Sequence, residues 1–397
     1  MKKILSLVLA LLMLAVMLPV TAMADEANYC TIEGVEGKFD TLTAAAKAWR
    51  ESKQIVTEGS TLGGHPAELT EVESIVWNIY GTVPAGDGAG VIGTSGSILS
   101  GGYITPSITI KNVTVNGYNN AIITKTGDPY VSCGANNVAF ANITFADTMR
   151  NDSNPGSLTF TNCTFKADLR MPHAGANSTL KVENCTFTGE VASDYAIFVQ
   201  GPNGGTMSNV VLSGNNISGY RRGVNVQAGT GATVSITGNT ITNLTGYTKN
   251  DQTYGAAIQL TTGREFIITN NKIDVNTGNA FRFYSGLDAD VTISDNIIKA
   301  PYLVWNQAEL PNEKITSQDN KLTITNPNKA ATSDGALEDA TVIKAAPTQI
   351  VIITPAGDTP KTEPEKNPTT GANDMVAAAV ALMAISALGM AVLSRKK

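Results

Sequence analysis

The chain has 397 residues, 42 % of them hydrophobic and 16 % charged, with a formal net charge of −6. That mildly acidic balance argues against nucleic acid or anionic lipid as a partner, since both call for a basic face. Few charges beside abundant Gly, Asn and Thr suit short strands joined by tight bends, because β-branched residues favour strands while Gly and Asn make the bends.

Met1-Lys2-Lys3 precedes an apolar run from Ile4 to about Val20, and Ala22-Met23-Ala24 follows before Asp25. A basic start, a short apolar core and a small-residue site make a secretory signal over residues 1–24, and the run is short for a membrane span. Cys30 follows Asn28-Tyr29 rather than small residues, so a lipoprotein anchor is not expected.

Residues 25–74 read as a cap. Thr41 to Glu51 has Leu42, Ala45, Ala46 and Trp49 on one face of an amphipathic helix, with Thr41 or Asp40 as N-cap. Its expected place is the N-terminal end of the structure that follows, whose open edge needs a cover. Ser74 to Tyr80 is the first full strand, and the Gly-rich run from Gly86 to Gly102 a surface loop.

Residues 75–346 read as the body, and between Ile110 and Leu322 a short pattern recurs: apolar, polar, Asn/Gly/Asp, variable, polar, apolar. It is written Phe140-Ala-Asn-Ile-Thr-Phe145, Phe160-Thr-Asn-Cys-Thr-Phe165, Val182-Glu-Asn-Cys-Thr-Phe187, Leu212-Ser-Gly-Asn-Asn-Ile217, Ile236-Thr-Gly-Asn-Thr-Ile241, Ile268-Thr-Asn-Asn-Lys-Ile273 and Ile293-Ser-Asp-Asn-Ile-Ile298, and a weaker copy ends at Leu322. The offsets of 20 to 32 residues fit one coil of a β-solenoid. Stacked coils place Phe145, Phe165, Phe187, Ile217, Ile241, Ile273, Ile298 and Leu322 in one apolar column. Two residues earlier Asn215, Asn239, Asn271, Asn296 and Asn320 form an amide ladder, each expected to bond the next and to take the left-handed bend between strands. Cys163 and Cys185 precede these amides in the same column. In-register stacking holds their Cβ atoms further apart than a relaxed bridge likes, so a buried thiol pair is favoured over a disulfide.

A second strand recurs as Ile197-Phe-Val199, Val224-Asn-Val226, Ile258-Gln-Leu260 and Phe281-Arg-Phe283. Alternation points Phe198, Asn225, Gln259 and Arg282 outward, flanked by Gln200, Gln227, Thr261 and Tyr284. The repeat and its Asn ladder resemble the pectin-lyase-like right-handed parallel β-helix family over roughly Ile75 to Leu322. The fold expected is thus all-β, a right-handed single-stranded parallel β-helix with an N-terminal capping helix.

The resemblance implies fold more than function, since the family holds lyases, glycosidases, tailspikes and adhesins. Glycosidases need paired carboxylates on neighbouring outward positions, and no such pair is evident. Lyases need Arg or Lys beside calcium. Arg282, together with Asp194 and Arg221 one coil apart, are weak catalytic candidates, and their reading as solvated bend residues, Asp194 and Arg221 loosely paired, is favoured over catalysis. With His65 and His173 the only histidines and no CxxC pair, no metal site is expected, although the resemblance leaves calcium open. The strip Phe198, Gln200, Asn225, Gln227, Gln259, Arg282 and Tyr284 offers amides and rings suited to a glycan or a cell surface, and reads equally as the solvated face of one sheet.

Pro347 to Lys366 carries Pro355, Pro360 and Pro364 among mixed charges, a semi-extended spacer. Asn367-Pro368-Thr369-Thr370-Gly371, the apolar stretch 375–393 and the tail Ser394-Arg395-Lys396-Lys397 then resemble the sorting signal of sortase substrates, with Asn367 where Leu is commonest. That resemblance implies cleavage after Thr370 by sortase and transfer to peptidoglycan of a Gram-positive wall, the membrane being engaged only through the C-terminal helix before sorting. A permanent tail anchor is the alternative. The function expected is a wall-anchored, adhesin-like display of the β-helix without catalysis. A wall-attached polysaccharide lyase or glycosidase, or a structural spacer, are the alternatives.

Overall fold

The computed structural model describes residues 28–58, 61–64, 66–86, 108–124, 136–150, 156–171, 177–190, 194–201, 206–249, 252–325 and 351–352, all within the unit Met1–Thr354. The expected signal, the loop beyond Gly86, Cys133, both histidines, residues 326–346, the spacer apart from 351–352, and the sorting signal lie outside them. Among the described residues no helix is long and apolar enough to cross a membrane.

The body is a parallel β-helix. Each full coil lays down three strands, as in Asn209–Ser213, Asn216–Ser218 and Arg222–Gln227, and each strand pairs in parallel with its counterpart one coil on. First and second strands, separated by a two-residue bend, merge into one 20-stranded sheet, while the third strands make a separate sheet of seven. Two long strands, Glu71–Pro84 and Thr109–Thr124, open the stack.

The expected apolar column is present in register from Phe145 to Leu322. It begins two coils earlier, at Val83 and Ile123, where the repeat pattern is too weak to read. From Phe145 to Phe187 it is aromatic. Phe145, Phe165 and Phe187 stack at 5.0 and 4.5 Å, and a parallel stack of Phe140 on Phe160 at 5.1 Å meets it edge-on, with Phe140 to Phe145 at 5.4 Å. Such offset and edge-to-face contacts add about 0.5–1.5 kcal/mol per pair beyond area burial.

The amide ladder is complete. Nδ2 of Asn215, Asn239, Asn271 and Asn296 donates to Oδ1 of the next Asn at 2.8 to 3.0 Å, and Nδ2 also reaches a carbonyl of the preceding coil, as in Asn215 to Val182 O at 2.9 Å. The same Oδ1 accepts the backbone N–H of the preceding ladder residue, as in Asn239 N to Asn271 Oδ1 at 2.9 Å. One expectation is corrected. The left-handed residue is the one before each ladder Asn, namely Gly214, Gly238, Asn270, Asp295 and Asp319, with φ of 54 to 67°. The ladder side chain must point inward along the stack, and the reversal that aims it there is made by its exposed predecessor.

Cys163 and Cys185 sit in this column as free, buried thiols. Cys185 N donates to Asn215 Oδ1 at 2.9 Å, so the two cysteines continue the ladder in sulfur.

At the N-terminal end the helix α1 spans Leu42–Ser52 with Thr41 as N-cap, whose hydroxyl accepts Ala44 N at 3.0 Å, and it buries the expected Leu42, Ala45, Ala46 and Trp49. Thr43 N and Oγ1 both donate to Ala85 O, at 3.0 and 2.8 Å, tying the helix to the end of the first long strand. The edge itself is covered by Tyr29–Ile32, paired antiparallel with Trp77 to Tyr80, which the sequence reading does not anticipate. At the other end Val351–Ile352 pairs in parallel with Leu322 and Thr323, within the segment read as spacer.

Candidate functional site

The seven third strands run through Met149–Arg150, Leu169–Met171, Tyr195–Gln200, Arg222–Gln227, Ala256–Thr262, Asn279–Phe283 and Tyr302–Asn306. Alternation buries Ile197 and Val199, Val224 and Val226, Ile258 and Leu260, Phe281 and Phe283. The position between them forms one register row: Arg150, Arg170, Phe198, Asn225, Gln259, Arg282 and Trp305. Its four central members are those expected. Arg170 was signalled by the same apolar-x-apolar triplet in Leu169-Arg170-Met171, whereas Val304-Trp305-Asn306 lacks the second apolar residue.

Along the middle of this row lies an open groove of ≈ 390 Å³. Phe198, Asn225, Gln227, Gln259, Arg282 and Tyr284 of the expected strip line it, joined by Tyr195, Arg222 and Thr261. Gln200 does not line it, although it pairs in register with Gln227. Asn225 and Gln259 are only 6 % and 4 % exposed, because the flanking long side chains lean over them.

A connected set of polar bonds organises the lining. The Tyr195 hydroxyl donates to Gln259 Oε1 at 3.1 Å, and an Arg282 Nη donates to the same oxygen at 3.4 Å. Gln259 Nε2 donates to Thr261 Oγ1 at 3.4 Å, and Thr261 Oγ1 donates to Asn225 Oδ1 at 2.9 Å. Thr261 reaches this place because a β-bulge after Val226 pairs Gln227 with Thr262 and re-aims the extra residue. Asn225 Nδ2 and the Gln227 amide make no hydrogen bond among the described residues, so donors and an acceptor stay open toward the groove.

Both guanidinium groups are held flat against rings. Arg222 lies 3.8 Å from the Tyr195 centroid. Arg282 lies 4.1 Å from that of Trp305 and 4.9 Å from that of Tyr284, while its Nε and Nη2 donate to Gln307 Oε1 at 3.0 and 2.7 Å. Cation–π stacking and fixed acceptors together cost these long side chains their rotamer freedom before any ligand arrives.

Of the weak catalytic candidates Arg282 faces the groove as expected, whereas Asp194 and Arg221 are not partners. Asp194 is paired by Arg222 through two hydrogen bonds, Nε to Oδ1 at 2.9 Å and Nη2 to Oδ2, and not by Arg221. Arg221 is exposed, and its backbone carbonyl accepts Gly246 N at 3.0 Å. The reason is the strand start: Arg222 pairs with Tyr195 in register, so its side chain lies beside Asp194 on the preceding rung. Tyr195 was missed because alternation assigns it to the inward side with Ile197. At this strand start Ala196 and Ile197 are both buried, and Tyr195 is left at the groove. Among the described residues no group of three or more His, Cys, Asp and Glu is placed to hold a metal ion.

Residues 148–322 match the family model described as a right handed beta helix region. The match begins just before the third strand of the first three-strand coil, Met149–Arg150, and ends within Lys321–Ile324, and the stack is a right-handed parallel β-helix. No curated protein and no solved structure matches the chain.

Proposed function

We propose that this chain is an exported surface protein whose right-handed β-helix binds an extended glycan in the groove of the third sheet and retains it without cleavage. The observation that carries this reading is the preorganised lining. Open amides that donate and accept, hydroxyls, and ring-stacked guanidinium groups follow one another up successive rungs about 4.8 Å apart. Amides match the paired donor and acceptor character of sugar hydroxyls, and ring faces cover sugar C–H surface. The groove residues carry no carboxylate, while Asp194 outside the lining is neutralised by Arg222.

Display follows from the chain ends: a signal over residues 1–24 exports the protein, and Asn367 to Gly371 with the apolar stretch and basic tail hands it through a sortase to peptidoglycan. This localisation rests on sequence pattern.

The test is retention of the full chain on affinity gels cast with plant, mucin and bacterial polysaccharides, beside reducing-sugar and unsaturated-product assays with and without calcium. Retardation by one polysaccharide with no product supports the reading. Product release overturns it in favour of a polysaccharide-cleaving enzyme, and absence of both retardation and product overturns it in favour of a structural spacer.

A further inference from the structure

On a different face, the bend between first and second strands carries a second hollow of ≈ 340 Å³. Its origin is a length mismatch between coils. Asn116 and Ile122 pair with Ala141 and Thr144 of the next coil, so residues 117–121 stand opposite residues 142–143 alone. The longer rung overhangs as a shelf, with Asn119 and Asn120 both left-handed at φ 54 and 56°. Beneath it two rungs present Asn142 with Thr144, then Asn162 with Thr164.

The polar groups here are uncommitted. Side chains of Asn119, Asn120, Asn142 and Asn162 and the hydroxyls of Thr144 and Thr164 make no hydrogen bond among the described residues. Outward asparagines on the neighbouring first strands are bonded, as in Asn137 Nδ2 to Asn112 Oδ1 at 3.1 Å and Asn112 Nδ2 to Glu73 O at 3.0 Å. No charged residue lines the hollow. Next to Asn119 on this rung, Tyr118 ends a stack on Tyr80 and Tyr29, with centroids 5.1 and 4.7 Å apart, and is 45 % exposed.

We propose that this hollow is a second carbohydrate site, selective for a neutral oligosaccharide. Four amides and two hydroxyls in pairs on successive rungs answer a ligand dense in hydroxyls, and the lack of charge leaves a uronate or sulfate without a counter-ion. Tyr118, beside the hollow and outside its lining, offers a ring to a sugar unit that extends past it. The site is independent of the third-sheet groove and stands whether or not the groove binds.

The experiment titrates the full chain with fluorescently labelled cellohexaose and chitohexaose. Asn142→Gly/Asn162→Gly leaves the bend its preferred conformation, since Gly214 and Gly238 hold the same position in later coils. Thr144→Val/Thr164→Val removes the hydroxyls and keeps strand propensity, which covers the case that the first variant melts early. Each double variant is expected to weaken binding of at least one probe by about tenfold, the loss of two hydrogen bonds, while Arg221→Ala, at an exposed residue that lines neither hollow nor groove, binds it as the unaltered chain does. Absence of binding by both probes, equal binding by either correctly folded double variant, or loss confined to the groove variant Tyr284→Ala overturns the proposal.

Discussion

Cys185 Sγ accepts the backbone N–H of Cys163 at 3.3 Å, in the position where Asn215 Oδ1 accepts the N–H of Cys185 at 2.9 Å. Sulfur is the weaker acceptor, and a thiol cannot also donate two N–H bonds along the column as an amide does. The substitution Cys185→Asn is therefore expected to extend the ladder by one rung and raise stability by about 1 kcal/mol. Conversely Asn271→Ala strips the acceptor from Asn239 N and one of the acceptors from Asn239 Nδ2, and is expected to cost about 2–4 kcal/mol, the penalty of a buried N–H left unpaired together with the lost amide bonds. Urea melts of the two variants against the unaltered chain check both signs.

Burial pushes the Cys30 thiol from 9.0 up to about 12, and the hydrogen bond with Cys163 together with burial pushes Cys185 far above the ordinary thiol range. A folded-state value above the unfolded one means that the unfolded chain loses its proton first as pH rises. The stabilisation is thus fully present below pH 9.0 and falls from there toward about 12. Denaturation midpoints measured from pH 7 upward are expected to be flat up to about 9 and then to decline. Cys30→Ala should flatten part of that decline, and an unchanged alkaline slope would remove Cys30 from the account.

Phe165 is fully buried and stacks on both Phe145 and Phe187. Phe165→Ala opens a cavity and breaks three ring contacts, the third the edge-on one with Phe160, at a cost of about 3–5 kcal/mol. Phe165→Leu retains most of the volume and is expected to cost less than half as much. Thermal melts of the pair separate packing volume from aromatic stacking.

In the groove, Arg282→Ala removes the group that spans Gln259, Gln307, Tyr284 and Trp305. Glycan retention on affinity gels is expected to drop about tenfold, more than for Arg282→Lys, because a lysine ammonium can neither stack flat nor donate in a fork. Arg221→Ala, whose side chain does not line the groove, is expected to leave retention unchanged. Equal losses for Arg221→Ala and Arg282→Ala would place the ligand elsewhere.

The coil register was legible without coordinates because burial imposes it. Each of Phe145, Phe165, Phe187 and Ile217 must meet its neighbour inside the stack, so the same column recurs in residue type, and the amides from Asn215 to Asn320 recur for the same reason. The groove was half legible: alternation alone identifies Phe198, Asn225, Gln259 and Arg282 as outward. Which outward groups converge was decided only in three dimensions. Solvent tolerates many side chains, so no periodicity marks Tyr195 or Arg222, and a bulge at Thr261 or a longer rung at Asn119 and Asn120 depends on how one coil sits on the next. The hidden interior of this protein is thus determined by local sequence repetition, whereas its groove and hollow arise where neighbouring coils differ.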